Sequence, residues 1–359
     1  MRMRRATWSA AVALGMLAGG CGGGESPSGP PATKDPALEP RVYLDSAINL
    51  MENAAYYRRR VDWPTVRATA RTMAAGATTT AETYPAIRYA LSALGDRHSF
   101  LVPPPAGTSA SAVRAPLGMA GTLAATPPAD SIDGEIVGAR YGYLRVPTFG
   151  GNNDQAVLLA DSLQFLVRVL DARTPCGWVI DLRHNLGGNM WPMLIGVGPL
   201  LGAVSVGSFV DADGGVLGWW YENGLAGASP AGYRNTYMGM SGAPYTLRVP
   251  NPAIAVLTDS LTASSGEAIV VAFRGRPQTR SFGGATYGVP TGNTVFRLSD
   301  FAMLVMTVVV DADRTGKQYE TAIPPDVAIP QTGGPATDDA TVLAATSWLA
   351  TQPACTAAP

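Results

Sequence analysis

A chain of 359 residues, 47% hydrophobic and 15% charged, can bury a sizeable core as one large domain or two modest ones. A formal net charge of −1 excludes the strong positive field of a nucleic-acid binder or of a protein held electrostatically on an acidic membrane. Two histidines and three scattered cysteines lack the clustering a structural zinc needs, so neither a metal nor an organic cofactor is expected.

Residues 1–21 read as a signal peptide rather than part of the fold. "MRMRR" is basic, and "ATWSAAVALGMLAGG" is apolar but too short to span a bilayer comfortably. Small residues lead to Cys21, and a Gly/Ser/Pro tether follows over 22–38, a pattern resembling a bacterial lipoprotein signal. Leu17 stands four residues before Cys21 instead of three. Cys21 is therefore the expected lipidation site and membrane anchor, with an ordinary cleaved secretory signal as the alternative. Both readings take the chain out of the cytoplasm, and the lipoprotein reading places it in a bacterial cell envelope, on the periplasmic side.

Residues 39–101 read as an N-terminal helical subdomain. Val42, Leu44, Ile48, Leu50 and Met51 recur among polar residues at helical spacing, and Asp62 stands as an N-cap before Trp63 and Pro64. The run Arg58, Arg59, Arg60 suits a solvated helix face. Residues 102–133 form a linker with the first strands. The core is expected over 134–335. "GEIVGARYGYLRVPTF" holds two strands broken at Gly138 and Ala139, and "NDQAVLLADSLQFLVRVLDAR" is a helix starting at Asn153 or Asp154. "GWVIDLR" and "AIAVLTD" are buried strands, and each leads through a polar turn into a helix. "SVGSFVDADGGVLGWWYENG" suggests a hairpin, while "TRSFGGATYG" and "AMLVMTVVVDADRTG" add strands. Residues 336–359 form a C-terminal helix and tail. Alternation of strands and helices makes the core α/β.

Chemistry concentrates where the two strand–turn–helix units end. Groups at the carboxyl ends of strands in an open α/β sheet gather in one crevice. Gly187 and Gly188 allow close backbone approach, and N–H groups at such a turn can receive an oxyanion. In "TASSGEA", Ser264-x-x-Glu267 fits a capping box, and a serine there could also attack a carbonyl if a base were near. His98 lies at the seam between the helical part and the core, and His184 lies in a turn. Cys176 and Cys355 either pair in an oxidising compartment or remain a buried and a free thiol.

"GDRHSFL", "IDLRHNLGGNMWPML", "TASSGEA", "SFGGATYGVPTGN" and "DRTGKQYETAIPPDV" occur in the order and approximate spacing of the C-terminal-processing (tail-specific) and tricorn-type serine peptidases. The resemblance spans about residues 90 to 330 and is nearest to the nisin-resistance branch. It implies a ClpP/crotonase-like α/β core. Val289 stands where typical processing proteases have a catalytic lysine, and the stretch from Phe100 to Gly134 is too short for their PDZ domain. Both departures suit the nisin-resistance branch, which works with a Ser–His dyad. The resemblance makes His98 the general base, a task suited to a group titrating near neutrality. It leaves Ser264 and Ser265 as alternative nucleophiles; the N-cap position of Ser264 favours it slightly. Oxyanion donors are expected among the N–H groups of Gly188, Asn189 and Met190, together with the residue after the nucleophile. Glu320 corresponds to an acid that supports the histidine in the tricorn pattern, with a surface ion pair as its alternative. Glu267 is assigned to capping, Asp181 and Arg183 to holding a turn, and Asp96 to a turn.

The expected function is an exported serine peptidase acting on extended peptides or polypeptide C-terminal tails. A non-catalytic peptide binder is one rival. An α/β-hydrolase esterase is another, and it would carry a G-x-S-x-G elbow that "TASSGEA" lacks.

Overall fold

The computed structural model describes residues 39–105, 132–330 and 339–356. The signal segment with Cys21, the tether, linker residues 106–131, residues 331–338 and residues 357–359 lie outside the described residues. No described helix is long and apolar enough to cross a membrane.

Three helices open the described chain: α1 (Pro40–Ala54), α2 (Trp63–Met73) and α3 (Tyr84–Ser92). Local chemistry starts the first two. The Glu39 carboxylate accepts the Val42 N–H, and Asp62 caps α2 as its sequence position predicts. Their apolar faces do not close on themselves alone. Tyr43, Ile48, Met51 and Ile87 share one buried cluster with Leu101, Leu298, Leu304 and Met306. Each such side chain contributes about 1.5–3 kcal/mol on burial, so the helices are held on the sheet rather than merely tethered to it.

The three-residue strand β1 (Phe100–Val102) follows directly. A six-stranded sheet then takes β2 (Asp133–Val137), β3 (Tyr141–Arg145) and β4 (Gly177–Asp181). Between β3 and β4 runs α4 (Asn153–Asp171), which starts at Asn153 as expected behind a capping box that joins Asn152 and Gln155. After β4 comes α5 (Met190–Gly196), capped by the Asn189 side chain on the Trp191 N–H.

A second sheet begins with the expected hairpin, β5 (Ser205–Asp211) and β6 (Val216–Glu222), and continues in β7 (Leu225–Ser229) and β8 (Met238–Gly239). The chain returns to the first sheet as β9 (Ala253–Thr258), α6 (Ser265–Phe273) and β10 (Thr279–Gly283). Strands β11 (Thr291–Arg297), β12 (Met303–Ala312) and β13 (Gln318–Tyr319) complete the antiparallel sheet. β14 (Val327–Ala328) edges the first.

The first sheet has the order β14-β10-β9-β4-β3-β2, parallel except for β2. One face packs α4, α5 and α6 around Trp178, Leu163, Ile180 and Ile269. The other is covered by α7 (Ala340–Ala350), whose Ala345 and Leu349 bury against Val179, Leu257 and Phe282. Cys176 and Cys355 form a disulfide that ties α8 (Pro353–Thr356) to the start of β4. The molecule is thus a mixed helix and sheet fold with an N-terminal helical region on a sheet core.

Candidate active site

Because β4 and β9 are parallel neighbours, with Asp181 opposite Leu257, the turns leaving them lie side by side. They are stitched together along their length. Leu182 N–H donates to Leu257 O (3.0 Å), Thr262 Oγ1 to Leu182 O (2.9 Å) and Ala263 N–H to Asn185 O (2.8 Å). The buried Asp259 carboxylate accepts from the N–H groups of His184, Leu261 and Thr262. The Asn185 amide donates to the carbonyls of Val146 and Pro147, and its oxygen accepts the Gly187 N–H.

This stitching presses Gly187 onto the serine turn. A Cβ on Gly187 would lie 2.8 Å from both Ser264 Cβ and the Ser265 nitrogen, and one on Gly188 would lie 1.8 Å from Phe149 O. Both residues have positive φ, +97° and +108°, so glycine is required for space and for conformation. Among the described residues, neither the Gly188 N–H nor the Ser265 N–H has an acceptor.

Ser264 is the N-cap of α6 and has φ 51° and ψ −118°, a conformation that costs a non-glycine residue of order 1–3 kcal/mol. Glu267 holds it there. This carboxylate is fully buried and accepts from Ser264 N–H (2.9 Å), Gly288 N–H (2.9 Å), Val289 N–H (2.8 Å) and Thr286 Oγ1 (2.5 Å). The capping assignment therefore extends: Oε2 accepts from both the Ser264 cap and Val289, and Oε1 grips Thr286 and Gly288 of the same strap 286–289. Burial pushes the Glu267 carboxyl up, and its four donors oppose that shift. Beside it lies Asp311 of β12, also buried, with neither carboxyl oxygen hydrogen-bonded among the described residues. Desolvation, and then the neighbouring Glu267, push Asp311 well above the usual carboxylate range. Val289 is buried on this strap.

The two serines differ. Ser265 donates its hydroxyl to Gly188 O (2.5 Å), whereas no described residue accepts the Ser264 hydroxyl hydrogen.

The strap leads to the histidine. Thr291 N–H donates to Val289 O (2.8 Å), and Thr291 Oγ1 lies 2.7 Å from His98 Nδ1. The His98 main chain is held at both ends, its N–H by Asp96 (2.9 Å) and its carbonyl by the Asn293 amide (3.0 Å). Asp96 also accepts from Ser99 N–H and Oγ, so it builds the turn as expected. Burial lowers the His98 pKa below 6.5, and the Asp96 charge opposes this. Arg97 stacks over the Tyr287 ring at 4.4 Å, and Tyr287 N–H donates to Thr262 O (2.9 Å). His98 and Ser264 are not hydrogen-bonded to each other. They are joined through Glu267, Val289 and Thr291.

Two expected site residues fall elsewhere. Glu320 pairs with Arg60 at 2.6 Å on the surface, and Thr291 occupies its expected place at the histidine ring. The Asn189 N–H is spent on Phe149 O (2.9 Å), because Phe149 and Gly188 form a parallel bridge, and so cannot serve an oxyanion. Met190 opens α5 and buries its side chain in the core. Arg183 pairs with Asp181, as expected of the turn, and also with Asp339 at the start of α7. His184 is in a left-handed turn at φ 63°, with Nδ1 3.4 Å from Asp259. Sequence reasoning missed Thr291 and Asn293. Both fall within the stretch SFGGATYGVPTGN, but nothing local gives them a role there, since they meet His98 across 193 and 195 residues.

The model of peptidase family S41 matches residues 140–329, more than half of the chain. The nisin-resistance protein of Lactococcus lactis subsp. lactis is 26% identical over 293 residues, covering 80% of this chain and 83% of that protein. A lipoprotein from Streptococcus agalactiae has a similar fold, with TM-score 0.64 and 22% identity over 87% of this chain and 96% of its own. The photosystem II D1 C-terminal processing protease follows at TM-score 0.53 and 17% identity, covering 80% and 92%.

Proposed function

The chain belongs to peptidase family S41, and on that premise we propose that it is an exported serine peptidase with Ser264 as nucleophile and His98 as general base. The observation that carries this reading is the strained Ser264 backbone, locked against a glycine turn beside two N–H groups with no acceptor among the described residues. Strain at a serine between a strand and a helix is the device that presents a nucleophile.

In this mechanism Ser264 Oγ attacks a peptide carbonyl while its proton passes to His98 Nε2. The Gly188 and Ser265 N–H groups receive the oxyanion. His98 then gives the proton to the leaving amine, and a water activated the same way releases the acyl group. Ser265 supports the hole by holding the Gly188 carbonyl. The buried, apolar Val289 suits a histidine base rather than a lysine. Catalytic hydrogen bonds are often absent before substrate binds, so Ser264 and His98 close on each other in the complex. Extended peptides are the proposed substrates. Export is supported by the Cys176–Cys355 disulfide, which suits an oxidising compartment, and by the signal pattern ending at Cys21. Lipidation at Cys21 would anchor the protein to the envelope membrane.

A fluorophosphonate probe tests the reading. It should label the wild type on Ser264, label Ser265→Ala, and fail on Ser264→Ala and His98→Ala. Because burial lowers His98, the acid limb of labelling should fall below pH 6.5. The missing His98–Ser264 bond favours a second reading, a peptide-binding relative without catalysis. An unlabelled wild type that still binds peptides would establish it.

A further inference from the structure

We propose that Thr291 is the positioning residue of this site: its hydroxyl oxygen accepts the His98 Nδ1–H and keeps the Nε2 lone pair facing the nucleophile. This rests on the reading of His98 as the base. The 2.7 Å contact is between a ring nitrogen and a threonine only 8% exposed, at the first residue of β11. Thr291 is itself fixed from the nucleophile side. Its N–H bonds Val289 O, and the Val289 N–H bonds the Glu267 carboxylate that also holds Ser264 N–H. One buried carboxylate thus sets the nucleophile and, two residues along the strap, the group that orients the base.

The ring has little other choice. With the His98 N–H and carbonyl both tied and Nδ1 on Thr291, Nε2 is the ring atom left to take a proton. The step balances simply. The Ser264 O–H proton moves to Nε2 as Oγ bonds to the carbonyl carbon, and Nδ1 keeps its hydrogen throughout. A hydroxyl selects the tautomer without adding a charge. The charge acting on the ring comes from Asp96 on its own turn. β11 presents Thr291 and Asn293, β12 presents Thr307 through Ser99 and Asn293, and Arg97 is stacked on Tyr287. A neutral orienting group therefore stands where an acid would otherwise stabilise the imidazolium.

The test uses the mature protein and two readouts. With only His98 and His184 in the chain, ¹⁵N NMR of labelled imidazoles resolves each tautomer. The wild type should show His98 carrying its proton on Nδ1. Thr291→Val should move it towards Nε2 and slow phosphonate labelling by about tenfold or more. Thr291→Ser should restore both. Thr291→Asp should raise the midpoint of the acid limb, because a carboxylate beside Nδ1 stabilises the imidazolium; an unmoved midpoint would show that residue 291 does not face the ring. A wild-type His98 protonated on Nε2 overturns the proposal, as does a Thr291→Val with unchanged tautomer and labelling. If Thr291→Val does not fold, the wild-type tautomer decides. A wild type that ignores the probe defeats the peptidase reading, while the tautomer measurement still judges Thr291.

Discussion

The nucleophile and the base are held in different ways. Ser264 sits where a buried parallel strand turns into a helix. Backbone bonds to the neighbouring turn and four donors on Glu267 over-determine its strained conformation. His98 precedes a three-residue strand and is held by single side-chain bonds from Asp96, Asn293 and Thr291. Strain persists only where the surroundings outnumber it, so the serine needs the dense side. The histidine is unstrained and must approach a substrate-loaded serine, so sparse attachment suits it. Loss of one support should be severe near Ser264 and graded near His98.

The largest effect is expected at Glu267. Glu267→Gln turns an acceptor of four donors into a group that also donates, and should cost about 2–4 kcal/mol in urea denaturation and abolish phosphonate labelling. A loss under about 0.5 kcal/mol would show that the clamp does not hold the turn. Next comes Gly188→Ala, whose Cβ would collide with Phe149 O and displace an oxyanion donor. Labelling should fall about a hundredfold or more, and unchanged labelling would remove Gly188 from the hole.

On the histidine side, Asn293→Ala removes one bond to the His98 carbonyl. It should cost about 1 kcal/mol and slow labelling by well under the Gly188→Ala factor. An effect equal to that of Glu267→Gln would erase the contrast between the two halves. The smallest effect concerns Asp311, whose folded carboxyl stays protonated above the unfolded value. A raised acid weakens the fold as pH climbs from the unfolded pKa through the folded one. Asp311→Asn should therefore raise the melting temperature by a few degrees at pH 8 and hardly at all at pH 4. A gain independent of pH would mean that the carboxyl does not titrate as its burial requires.

Much of the serine half was legible because its signals are local. The capping box at Ser264-x-x-Glu267, the paired glycines and the two buried strands all lie in short windows, and hydrophobic period and turn chemistry operate at that range. His98 could be singled out only through a family resemblance, since nothing near it in sequence announces a base. Glu320 stayed open between supporting the histidine and a surface ion pair for the same reason: its motif position says nothing of Arg60, its partner 260 residues away.

By itself, the sequence determined the α/β alternation, the helical start, the caps at Asp62 and Ser264 and the glycine turn, because these follow from side chains a few residues apart. Only the tertiary structure decided that Asn189 spends its N–H on Phe149, that Cys176 meets Cys355, and that Thr291 rather than an acid touches His98. Those partners are chosen by sheet register and helix packing. Both are set by the burial of the whole apolar pattern rather than by any one stretch of it.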